Sequence, residues 1–195
     1  MESLWVSTGV VALAEMGDKT QLLAFILAAR FKKPVLIILG ILVATLINHG
    51  LAGALGAWIT AQLSPEVLRW ILGLSFLGMA AWTMIPDKIE EEETKIAHRW
   101  GVFGATFISF FLAEMGDKTQ IATIAMAAHY AASVSVVVGT TLGMLIANVP
   151  AVYLGEKLAH KISMKLVHSI AAVIFAVLGV ATLLGVDSLV GLGFL

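Results

Sequence analysis

Leu13–Gln21 reads LAEMGDKTQ, and the same nine letters return at Leu112–Gln120, 99 positions later. Carried without a gap over residues 1–96 and 100–195, that offset matches 22 of 96 positions, but only 13 of the 87 outside the nonapeptide. Gly40/Gly139, Leu46/Leu145, Gly56/Gly155 and Phe76/Phe175 are among the thirteen. The halves are related and have diverged everywhere except at one spot. Packing alone does not explain nine adjacent identities, because successive residues of a helix or strand point in different directions.

The 195 residues are 59% hydrophobic and 13% charged, with net charge −1 and no cysteine. Soluble domains average about 45–50% apolar and about 25% charged residues. The departure on both counts excludes a soluble globular domain and a disordered chain. The absence of a basic patch excludes a nucleic-acid binder. Without cysteine there are no disulfides, thiolate metal sites or cysteine nucleophiles. No secretory signal peptide is evident after Met1-Glu2, and Glu15 and Asp18 interrupt the first apolar stretch.

Apolar runs bounded by charge, proline or glycine predict an all-α polytopic membrane protein with six transmembrane helices. The spans fall at about 4–29, 34–59, 67–85, 100–128, 133–154 and 166–184. Of the twelve Lys and Arg, Lys19 and Lys118 lie mid-span, nine lie in the connections around 30–33, 86–99 and 155–165, and Arg69 alone falls on the other side. That bias makes those three loops cytoplasmic and puts both termini outside. Three spans per half means that the second half enters from the opposite side. The domain plan is therefore two inverted three-helix repeats, 1–85 and 100–195, joined by a cytoplasmic acidic loop, 86–99. Secondary transporters of this plan bind substrate near the midplane between the repeats.

Of thirteen Asp and Glu, four lie deep in spans: Glu15, Asp18, Glu114 and Asp117. Each would cost about 2.5–3.5 kcal/mol there, and with the two lysines the total is on the order of 15–20 kcal/mol. These groups must be paired, protonated, hydrated or bound. On a continuous helix Glu15, Asp18 and Lys19 share a 100° arc, as do Glu114, Asp117 and Lys118. Two such faces meeting would place four carboxylates around one point. Four acids and two lysines sum to −2, which one divalent cation or two protons would neutralise. The plainer expectation is an internal i,i+4 salt bridge, Glu15–Lys19 and Glu114–Lys118, which leaves both aspartates unmatched.

Gly17 and Gly116 are expected to break helices one and four, freeing carbonyls or letting backbones approach. Thr20, Gln21, Thr119 and Gln120 offer neutral oxygens beside the acids, for the cation or for bonds between helices. Met16 and Met115 point away from the acid arc on an ideal helix, unless a break turns their thioethers inward. Thr45, Asn48 and His49 share a face of span two, as Thr141 and Asn148 do of span five, and the offset sets His49 opposite Asn148. They are candidates to line a pathway or support the acids, and His49 to relay protons or simply to pack. The other histidines and the five tryptophans sit near span ends or in loops and read as interfacial. Gly139 and Gly143 form a small-residue packing motif. Glu90–Glu93 reads as a solvated linker, or as a cation attractor at the cytoplasmic mouth.

Two copies of Glu-x-Gly-Asp-Lys-Thr, one per three-span half, resemble the Gdt-type cation/proton exchanger family, over essentially the whole chain. That family includes Golgi manganese and calcium transporters of eukaryotes and manganese exporters of bacteria. The resemblance implies that Glu15, Asp18, Glu114 and Asp117 bind the cation, with Lys19, Thr20, Lys118 and Thr119 completing the motifs. It implies export of Mn²⁺ in exchange for protons across a bacterial inner membrane, with no resident cofactor. Ligand type alone suits Mg²⁺, Ca²⁺ and Mn²⁺ equally. The partners expected are thus a divalent cation, protons and lipid, with no nucleic acid. A Ca²⁺/H⁺ antiporter, a cation channel, an organic-cation exporter and an intramembrane enzyme are the other readings. The inverted repeat and the paired glycines favour a transporter over a channel; the symmetric repeat of acids with lysines argues against an enzyme, and the absence of an aromatic cage against an organic cation.

Overall fold

The structure, a computed structural model, describes residues 1–85, 100–154 and 164–185. The acidic run Glu90–Glu93 and most of the 155–165 loop lie outside the described residues. Within them the chain forms eight helices and no strand. These are α1 (Glu2–Glu15), α2 (Lys19–Phe31), α3 (Pro34–Gln62), α4 (Pro65–Thr83), α5 (Gly101–Glu114), α6 (Lys118–Tyr130), α7 (Ser133–Leu154) and α8 (Met164–Leu184).

Pro34 and Pro65 open α3 and α4 at the first helical position, where a missing N–H costs nothing. α2 and α6 end on residues in the left-handed region, Lys32 (φ 53°) and Ala131 (φ 46°), which are related by the offset of 99. The helix ends match the expected spans to within a few residues, with one qualification. Spans one and four each arrive as two helices, α1–α2 and α5–α6, so neither is a single rod. Two helices, Pro34–Gln62 and Ser133–Tyr153, are by length and composition able to cross a membrane unbroken.

The helices pack mainly across the halves. α1 lies along α7, and its counterpart α5 lies along α3. Gly40 of α3 seats against Thr106 and Phe103 of α5, so closely that a Cβ would collide with both. Gly139 of α7 seats in the same way against Ser7 and Leu4 of α1. Shifting each residue by 99 converts one contact into the other. Gly143 likewise admits the α1 backbone at Thr8 and Ala12, as a small-residue packing motif should. α4 packs on α8, where Phe76 and its offset partner Phe175 stack with ring centroids 6.5 Å apart.

Polar residues sit in the interior beside an apolar core, and apolar ones cover the surface. Thr20, Thr45, Asn48, His49, Thr119, Thr123, Thr140 and Asn148 are buried, while Leu51, Val134, Val173 and Val177 are exposed. Trp5, Trp58, Trp70 and Trp100, all near helix ends, are exposed too. A sheath of exposed aliphatic side chains with aromatics toward the ends suits a lipid surface.

Candidate metal centre

Each nonapeptide is a helix, a break and a new helix. α1 stops at Glu15, Met16 is extended (φ −65°, ψ 118°), Gly17 has φ 81°, and Asp18 is the extended N-cap of α2. The second copy repeats this at Met115 (φ −68°, ψ 119°), Gly116 (φ 75°) and Asp117. Only glycine takes the positive φ without steric cost. Asp18 Oδ1 caps the new helix by accepting from Lys19 N at 2.9 Å. Gln21 and Gln120 turn back so that their Oε1 atoms accept from Gly17 N at 2.9 Å and Gly116 N at 2.8 Å.

The break overturns the expectation of a shared helical arc, because Glu15 and Asp18 no longer lie on one continuous helix. It also overturns the internal i,i+4 salt bridges. The lysines cross over instead. Lys118 Nζ lies 3.2 Å from Asp18 Oδ2, with both side chains fully buried. Lys19 Nζ lies 3.6 Å from Asp117 Oδ1, with the lysine 17% exposed. The offset of 99 exchanges one pair for the other.

Glu15, Glu114 and Asp117 each bring one carboxylate oxygen within 4.8 Å of the others, all three residues being buried. Oxygens at about 2.1–2.6 Å from a common divalent cation span that range of separations. Asp18 is placed against Lys118 and is not a member of this group. Thr20 Oγ1 donates to Glu15 Oε2 at 2.5 Å, and Thr119 Oγ1 donates to Glu114 Oε2 at 3.1 Å. Thr119 also stands 3.4 Å from Asp117 Oδ2. The other oxygen of each glutamate, Oε1, is buried with no hydrogen-bond partner among the described residues. Buried polar atoms are seldom left so, and a bound ion or proton is a usual reason. The two crossed pairs each cancel, so the charge left over is that of Glu15 and Glu114.

The polar residues of α3 and α7 close around the motifs. Gln21 Nε2 donates to Ala147 O at 2.8 Å, and Gln120 Nε2 donates to Asn48 Oδ1 at 3.4 Å, positions 48 and 147 being offset partners. Asn48 Nδ2 donates to Phe111 O at 3.1 Å. His49 Nε2 lies 3.9 Å from Glu114 Oε2. Asn148 Nδ2 donates within its own helix, to Met144 O at 3.0 Å and Met144 Sδ at 2.8 Å. Thr45 and Thr141 are buried, and neither hydroxyl has a hydrogen-bond partner among the described residues. Met115 is 56% exposed, so its thioether lies on the surface.

One contact is absent from the sequence reading. His168 of α8, grouped there with the interfacial histidines, places Nε2 2.8 Å from the carbonyl that the first break frees at Met16. No local pattern marks it, and its offset counterpart is Arg69. Only the approach of α8 to the break reveals it.

The glycines give a direct test. A Cβ at Gly116 would meet no atom within 4 Å, so Gly116→Ala pays only for the positive φ. We expect it to lower stability by about 1–2 kcal/mol in detergent unfolding curves. Gly9→Ala, equally open but inside α1, should cost nothing. Equal effects at the two positions would mean that the break is not held by Gly116.

Comparison with known proteins identifies the family. The family described as "Divalent cation/proton antiporter GDT1" matches residues 3–91 and 102–188. A Vibrio cholerae protein named "Putative manganese exporter" is 52% identical over 183 residues, covering 93% of this chain and 90% of its own. "GDT1-like protein sll0615" of Synechocystis is 34% identical, covering 89% and 92%. "GDT1-like protein 3" of Oryza sativa is 32% identical, covering 89% and 71%. No solved structure matches the chain at a significant level. The chain belongs to the GDT1 family of divalent cation/proton antiporters, which are transporters and not enzymes.

Proposed function

We propose that this protein exports Mn²⁺ from the cytoplasm in exchange for protons, by alternating access at one buried site. The carrying observation is the group Glu15, Glu114 and Asp117, fully enclosed, with two glutamate charges left over after the crossed pairs. One divalent cation or two protons balances that remainder, so the two compete for the same oxygens. Asp18 contributes through its buried bond to Lys118 and completes the acidic set. Gly17, Thr20, Gln21 and Gly116, Thr119, Gln120 hold the two breaks, while Thr45, Asn48, His49 and Asn148 line the approach. The all-oxygen core suits Ca²⁺ as well, and the name of the Vibrio relative favours manganese.

The architecture that goes with this function is six spans in two inverted repeats, 1–85 and 100–195, in a bacterial inner membrane. Both termini face outside, and the loops at 30–33, 86–99 and 155–165 face the cytoplasm. Support comes from the contacts that interchange on shifting by 99: Gly40–Thr106 with Gly139–Ser7, and Lys19–Asp117 with Lys118–Asp18. Cytoplasmic metal enters between the halves and displaces protons from the carboxylates. The halves rock, metal leaves outward, and protons from outside reload the acids.

The test is the purified protein in liposomes with an internal pH dye. Imposed Mn²⁺ influx should drive proton efflux, with Ca²⁺ slower. Metal flux without proton countermovement would overturn the antiport reading, and faster Ca²⁺ than Mn²⁺ exchange would overturn the assignment of manganese.

A further inference from the structure

We propose that His49 supplies a nitrogen ligand to the carried cation, and that this one donor sets the preference of the site against Ca²⁺ and Mg²⁺. The inference rests on the exchanger reading above and deepens it.

His49 is fully buried on α3, yet among the described residues neither Nδ1 nor Nε2 has a hydrogen-bond partner. An imidazole enclosed with both nitrogens idle costs free energy unless something occupies them. Glu114 Oε2 lies 3.9 Å from its Nε2. Two donors that each stand about 2.2 Å from one cation are at most about 4.4 Å apart, so the separation fits a shared ion. His49 stands outside the three-oxygen group, at its Glu114 edge, so the proposed cation sits toward Glu114.

The related position in the other half sharpens the point. Asn148 spends its amide nitrogen on Met144 of its own helix, whereas His49 makes no such local bond. The site is therefore symmetric in its two glutamates and asymmetric here. Ca²⁺ and Mg²⁺ take oxygen ligands, whereas a transition ion such as Mn²⁺ also accepts imidazole. A single nitrogen among oxygens is the economical way to tell them apart.

The experiment is pulsed EPR on the full-length protein in detergent, loaded with Mn²⁺ alone. Wild type should show the nitrogen coupling of a directly bound imidazole, and ¹⁵N-histidine labelling should change it. His49→Asn should remove the coupling, and His168→Gln should keep it. Glu15→Gln, which should abolish the bound Mn²⁺ signal, confirms that the ion sits in this site. In liposomes His49→Asn should let Ca²⁺ inhibit Mn²⁺ exchange about tenfold more strongly. Glu15-dependent Mn²⁺ binding with no histidine coupling in wild type overturns the proposal and leaves the exchanger reading standing. The wild-type measurement decides this even if the variant does not fold. An absence of Glu15-dependent Mn²⁺ binding overturns both together.

Discussion

Glu15→Gln and Glu114→Gln are each expected to reduce Mn²⁺-driven proton movement in liposomes to the background of empty vesicles. Glutamine keeps the shape of the side chain and still accepts from Thr20 or Thr119 through its amide oxygen. What it removes is one of the two negative charges that the crossed lysine pairs leave over. With one charge a divalent cation is no longer balanced, and the group that would exchange a proton for it is gone. The fully buried position makes an uncompensated charge costly. Both variants should run as single species in size-exclusion chromatography, because neither leaves a lysine without its aspartate. A variant that exchanged metal for protons at half the wild-type rate or better would show that the glutamates do not carry the cation.

Lys118→Met should be the most destabilising single change at the site. Its ammonium is fully enclosed against Asp18 at 3.2 Å, and breaking a buried pair from one side costs about 3–5 kcal/mol. The loss comes mostly from the aspartate left charged in a dry environment. Removing both partners in Asp18→Asn/Lys118→Met should therefore recover much of it. Lys19→Met offers the comparison, since Lys19 keeps some exposure and stands 3.6 Å from Asp117. It should cost less than Lys118→Met, because its ammonium keeps contact with water, although Asp117 is itself buried. Tryptophan fluorescence through a denaturant series would measure all three. Equal losses for the two lysine variants, or no recovery in the double variant, would show that the crossed pairs do not hold the halves as described. Asp18→Asn alone is consequently a test of folding as well as of transport.

How far the sequence reaches can be judged residue by residue. Helix positions follow from apolar runs closed by Pro34, Pro65 and the polar turns, and these signals are local, so the structure reproduces them closely. The break at Gly17 and Gly116 was legible too, from a glycine repeated at the same place in both halves. The partners of the acids were not. An i,i+4 spacing presupposes a continuous helix, and the very glycine that marks the site destroys that continuity. Once the backbone turns at Met16, Asp18 meets a lysine 100 residues away, Lys118. The division of labour among the carboxylates, with Glu15 and Glu114 left over and the aspartates answering lysines, depends on that turn. His168 was out of reach for a related reason, since its role comes from a carbonyl that only the break exposes. The polar stripe of Thr45, Asn48 and His49 was visible as a helical face, and the structure adds that His49 is buried with no hydrogen-bond partner among the described residues.

The crossed lysines also bear on how such a chain is made. Synthesis runs from the N-terminus, so residues 1–85 reach the bilayer before Lys118 and Asp117 have left the ribosome. At that moment Asp18 and Lys19 have only each other and water to answer their charges, and Glu15 has no counterpart. The first four helices are thus a poor guest of lipid on their own and should stay near water, or near the insertion machinery, until the second copy arrives. Charge cancellation has to wait for the second copy, and the crossed pairs then tie the two halves together.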